Sequence, residues 1–64
     1  MDMSDALTLW RSLGHSFVSW DTKEGYYTLF IKDGEVVGHI KAVAGGVFWN
    51  YPEELMQARK VEKV

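Results

Sequence analysis

Residues 26–41, YYTLFIKDGEVVGHIK, set two apolar runs on either side of Asp33-Gly34. Asp-Gly between such runs signals a two-residue hairpin, because both turn positions require positive φ. The fold then depends on which face of this hairpin is buried. With Asp33-Gly34 as the loop, Lys32 faces Glu35, Ile31 faces Val36, Leu29 faces Gly38 and Tyr27 faces Ile40. Directly opposite residues share a face, and faces alternate along each strand. One face therefore carries Tyr27, Leu29, Ile31, Val36 and Ile40.

The neighbouring runs extend the pattern. A hairpin closed over Thr22 to Gly25 pairs Asp21 with Tyr26 and adds Val18 and Trp20 to that face. A third, closed over Gly45-Gly46, pairs Ala44 with Val47 and adds Ala42, Val47, Trp49 and Tyr51. This side is expected to be the core face, with Trp20 and Trp49 buried in it; a slip of one residue at any turn would exchange the faces. The other side carries Phe17, Ser19, Tyr26, Thr28, Phe30, Val37, His39, Lys41, Val43, Phe48 and Asn50. That is more apolar than a solvated sheet face, and contiguous exposed apolar patches mark interfaces. Phe17, Tyr26, Phe30, Val37, His39 and Phe48 are therefore the candidate partner-binding residues; the alternative reading is that a helix crosses to this side, or the sheet curls, and covers the patch within the monomer.

Helices are expected at both ends. Ala6, Leu9, Trp10 and Leu13 fall at i, i+3, i+4 and i+7, which predicts a helix over 4–13. Ser4 or Asp2 suits its start, and Gly14 suits the left-handed residue that ends it. At the other end Pro52 fits a first helical position, followed by Glu53 and Glu54 at the positive end of the dipole. Arg59, Lys60 and Lys63 gather at the negative end, while Leu55, Ala58 and Val61 or Glu62 form the inner face of a helix over 52–61. The expected fold is α+β, a four-stranded antiparallel meander sheet flanked by an N-terminal and a C-terminal helix, in the order α-β-β-β-β-α, as a single domain spanning 1–64.

Sixty-four residues is near the lower limit for one self-sufficient core. With no cysteine, a disulfide framework and thiolate metal sites are excluded, so packing or association must supply the stability. The start MDMSDALTLW has neither the basic region nor the apolar stretch of a signal peptide, and no apolar run approaches a membrane span. A cytoplasmic location without membrane contact is expected. The net charge of -2 disfavours binding to phosphate backbones.

Chemistry is sparse. His15 and His39 show no HxH, HxxxH or HExxH spacing, and only Asp21 suggests itself as a third member of a site; no metal is expected. Ser4, Ser12, Ser16 and Ser19 lack a nucleophile-elbow context, and Gly45-Gly46 precedes neither a basic residue nor a helix start. Glu53-Glu54 is accounted for by the helix dipole. DGEVVGHI, residues 33–40, resembles the central hairpin of acetyltransferases of the GNAT superfamily. The resemblance ends there: the glycine-rich pyrophosphate loop of that family has no counterpart in this chain, so neither acetyl transfer nor a cofactor is expected.

The sequence thus predicts a non-catalytic protein-protein interaction module without cofactors. Its size and style match the inhibitors and accessory proteins that bacteria and their viruses direct at larger host enzymes or defence complexes. A homodimer through the same apolar face is the second expectation. The alternative from another class is a single-stranded nucleic-acid-binding module that stacks bases on Phe17, Tyr26, Phe30 and Phe48. Lys41 is the only cation on that face, which counts against it.

Overall fold

The computed structural model describes residues 2–62, with side chains described for residues 2–59. The element order is α1 (Met3–Ser12), β1 (Ser16–Thr22), β2 (Gly25–Lys32), β3 (Glu35–Val43), β4 (Gly46–Asn50) and α2 (Glu53–Glu62). The strands form one antiparallel sheet in the order β1-β2-β3-β4, so the α+β meander read from the sequence is the architecture of the protein. The inner-face roles expected for Val61 and Glu62, and the charges of Lys60 and Lys63, lie outside the described side chains.

Both helices start, and α1 stops, where local chemistry directs. Asp2 holds the N-cap position of α1 in extended conformation, and its carbonyl accepts the Ala6 N–H at 2.9 Å. Gly14, at φ +92°, turns the chain out of the helix, a conformation that costs glycine nothing. Pro52 lies just before α2, where its carbonyl accepts the Met56 N–H at 3.2 Å. At the central turn Asp33 and Gly34 have φ of +53° and +81°, the paired positive values of the expected hairpin loop. The first turn is tied by the Thr22 hydroxyl, which accepts the N–H groups of Glu24 and Gly25.

The register departs from expectation at one residue. β1 and β2 pair as read, with Phe17 opposite Phe30, Trp20 opposite Tyr27 and Asp21 opposite Tyr26. Between β2 and β3 the ladder starts as read, with Lys32 opposite Glu35 and Ile31 opposite Val36. It then shifts at a β-bulge: Phe30 lies opposite Gly38, and Val37 is the extra residue. Beyond the bulge Leu29 faces His39, Thr28 faces Ile40 and Tyr26 faces Ala42. The third hairpin closes over Ala44 and Gly45 rather than Gly45-Gly46, pairing Val43 with Gly46. That is a two-residue slip, so it leaves the faces unchanged.

The bulge therefore divides the face expected to be core. Ile40, Ala42, Val47 and Trp49 share a side with Phe17, Thr28 and Phe30, and the helices pack on this side. Ala6, Trp10, Phe30, Ile40 and Leu55 are the buried hydrophobic residues, with Met3, Leu7, Leu9, Leu13, Phe17 and Tyr51 packed around them. Trp10 sets its ring edge-on to Phe30 at 5.7 Å and donates its indole N–H to the Ser16 carbonyl at 2.7 Å. Thr28 is the buried polar side chain, and its hydroxyl meets that of Ser19 across the strand at 2.9 Å. Gly38 is needed where β3 passes the start of α2: a Cβ there would stand 2.6 Å from the Asn50 carbonyl oxygen and 2.7 Å from Pro52.

Two tryptophans are thereby relocated. Trp20 is 42 % exposed, on the side opposite the helices. Trp49 lies on the helix side but near its edge, 58 % exposed. Neither is the core residue that uniform alternation implies.

Candidate interaction face

With both helices on one side, no described residue covers the other side of the sheet. The pairing sets a continuous row across all four strands: Trp20, Tyr27, Lys41 and Phe48. Beside it runs a second row of Val18, Leu29, His39 and Asn50, and beyond that Ile31 faces Val36. Trp20 stacks on Tyr27 with ring centroids 5.6 Å apart and planes within 12°. The Lys41 ammonium lies 5.9 Å from the Tyr27 ring centroid, within reach of a cation–π contact. Val18, Trp20, Val36 and Phe48 are exposed, and Tyr27, Leu29 and Ile31 are half-buried among them.

The six candidate residues do not form one surface. Phe30 is fully buried under Trp10, because the bulge and the helices make its side the core. Phe17 and Tyr26 share that side and are half-buried. Val37, at the bulge, lines a small cleft with Trp10, Lys32, Pro52 and Glu54. His39 and Phe48 alone stand on the open face. The open-face residues expected instead in the core are Val18, Trp20, Tyr27, Leu29, Ile31 and Val36. Their mutual grouping was correct; what covers them was not.

A second concavity lies on the helix side. Because the helices meet over Phe30 and Ile40, the corner toward β4 remains open as a groove of ≈ 540 Å³. Met3, Ala42, Val47, Trp49, Tyr51 and Met56 line it, along with one acid, Asp2, and one base, Arg59.

Ionic chemistry gathers at the opposite end. The Lys32 ammonium lies 2.7 Å from Glu54 Oε1, and His15 Nε2 lies 2.9 Å from Glu54 Oε2. The Lys32 contact, then His15, holds the Glu54 carboxyl below its ordinary range, and Glu54 in turn raises Lys32. The His15 ring also packs on Trp10 at 4.4 Å between centroids. This cluster fastens α2 to the end of β2 and to the turn before β1. His39 is on the open face and Asp21 on the helix side, so the set His15, His39 and Asp21 does not converge. Among the described residues no group of three or more His, Cys, Asp or Glu is placed to hold a metal ion. No helix among them is long and apolar enough to cross a membrane.

Comparison with family models, curated proteins and solved structures finds no match to this chain.

Proposed function

We propose that this chain is a non-catalytic protein-binding module whose working surface is the open face of its sheet. The observation that carries the reading is the row Trp20–Tyr27–Lys41–Phe48 with Val18 beside it, large apolar side chains held in register on a side that no helix covers. Aromatic anchors on a rigid sheet supply contact area at low entropic cost, which is what binding hot spots require. A small inhibitor or accessory subunit that lays this face on a larger protein is the role such a surface suits. The nucleic-acid alternative rests on the same aromatics. It is the weaker reading because Lys41 is the single cation of the face, in a chain of net charge -2. Capture after nuclease treatment divides the two readings, because a protein held directly survives the treatment and one held through nucleic acid does not. Affinity capture from the native host with the wild-type chain, run beside a chain carrying Trp20→Ser and Phe48→Ser, is expected to retain a protein that the variant loses. Equal capture by both chains overturns the assignment of this face.

A further inference from the structure

We propose, on the basis of that interaction-face reading, that the occupant of the open face is a protein segment that lays apolar side chains over Trp20 and Phe48 and sets a carboxylate against Lys41. A second copy of this chain is not the occupant.

Charge decides between them. Lys41 stands inside the aromatic row, between Tyr27 and Phe48, rather than at its rim. Both ion pairs found among the described residues belong to Glu54, at the far side of the sheet, and neither involves Lys41. The strand alternation gives the open face no carboxylate at all. The nearest acids in sequence are Asp21 and Glu35, both on the helix side, and Glu24 and Asp33 at hairpin turns. A face-to-face pairing that stacks the two aromatic rows would draw two Lys41 ammonium groups into the interface, and the strand residues of neither open face supply a counter-charge. Burying an unpaired charge is the condition interfaces avoid. A partner that brings its own carboxylate turns the same lysine into a paired, orienting contact, with the Tyr27 ring already behind it. A phosphate backbone also carries negative charge. One cation on the face, with Lys23 offset by Glu24 at the first turn and Asp33 at the second, gives it little to follow, whereas a single carboxylate needs only one cation.

The test is selection of a randomised peptide library against the immobilised wild-type chain and, in parallel, against Lys41→Glu. Circular dichroism first establishes that each variant is folded. The expected product is apolar peptides with Asp or Glu at a recurring position, bound roughly tenfold more weakly by Lys41→Met and by Trp20→Ser. Selection against Lys41→Glu is expected to place Lys or Arg at that position instead. Peptides that Trp20→Ser loses but that show no acidic position overturn the carboxylate inference and leave the interaction face standing. Peptides that Trp20→Ser and Lys41→Met hold as well as the wild type, or failure to enrich any peptide, overturn both. Sedimentation velocity supplies the other arm: a concentration-dependent dimer abolished by Trp20→Ser makes a second copy the occupant and overturns the proposal. So does a single-stranded oligothymidylate that binds more tightly than every selected peptide and is lost in Lys41→Met.

Discussion

Trp10 donates a hydrogen bond to Ser16, packs edge-on to Phe30 and supports the ring of His15, so one side chain joins α1 to the sheet and to the ionic cluster. Trp10→Ala is expected to cost ~3–5 kcal/mol, comparable with the whole stability of a domain this small, and to leave the chain largely unfolded. Trp20→Ala removes a ring already 42 % exposed and is expected to cost about 1 kcal/mol, mostly its stack on Tyr27. Urea titration of the two variants checks the order; a larger loss at Trp20 would return that residue to the core. The difference between these tryptophans was only half legible. Helical spacing puts Trp10 on an inner face whatever the sheet does, whereas the burial of Trp20 depends on which side the helices choose. Glu54 gives a second expectation at this scale. Its carboxyl is held below the ordinary value of 4.5 in the folded chain, so its contribution is present above that value and is lost as pH falls through the lowered one. Lys32 is raised above 10.5, so its contribution is present below that value and is lost as pH climbs through the raised one. Thermal melting against pH is expected to fall off on both sides. Glu54→Gln should flatten the acidic decline and the alkaline one together, and a profile unchanged by that substitution would remove the cluster from the account of stability.

At the scale of elements, the first two hairpin turns were readable because their chemistry is local, whereas the third closes over Ala44 and Gly45 and not over the expected Gly45-Gly46. Asp33-Gly34 supplies positive φ, the Thr22 hydroxyl ties the first loop, and Gly14 ends α1. The bulge at Val37 was not readable. An extra valine in EVVGHIK looks like ordinary strand, and its effect appears only beyond it, where every side chain of β3 and β4 changes sides relative to β2. Packing shows what the shift achieves: it brings Ile40 beneath the helices with Phe30 and sets Gly38 where Pro52 needs clearance. A disulfide can test the register directly. In the bulged ladder Leu29 and His39 are directly opposite and share the open face; in the uniform ladder Leu29 would oppose Gly38 and His39 would point away. Opposite residues of an antiparallel pair lie about 4.5–5.5 Å apart at Cα, within the range a disulfide spans. Leu29→Cys with His39→Cys is therefore expected to oxidise readily in the folded chain, while Thr28→Cys with His39→Cys is not. Mass spectrometry of the oxidised products reads the result, and the reverse preference would restore the uniform register.

At the scale of the whole molecule, the described residues form two layers with a shortest Cα extent of 15 Å, and among them only one side of the sheet has a covering layer. From sequence alone the conclusion that one strongly apolar side would be uncovered was reachable, because both sides carry large apolar residues and only two short helices exist to cover them. Which side it was could not be reached, since the bulge had already exchanged half of each. The choice has a direct consequence for charged substitutions. Phe30 is fully buried, so Phe30→Glu places an unpaired carboxylate against Trp10, and such a burial costs several kcal/mol. Phe30→Glu with Val37→Lys is expected to yield a chain without a cooperative melting transition. Val18→Lys with Phe48→Glu falls on two open-face positions that are 44 % and 53 % exposed, on strands at opposite edges of the sheet. Their new charges remain in water, and surface changes of this kind are expected within about 0.5 kcal/mol each. The second double variant should therefore melt within a few degrees of the wild type while losing the bound partner. Melting curves followed by circular dichroism separate the two sides of the sheet in one experiment. If the Val18, Phe48 variant unfolds and the Phe30, Val37 variant does not, the helices cover the other face and the interaction surface moves with them.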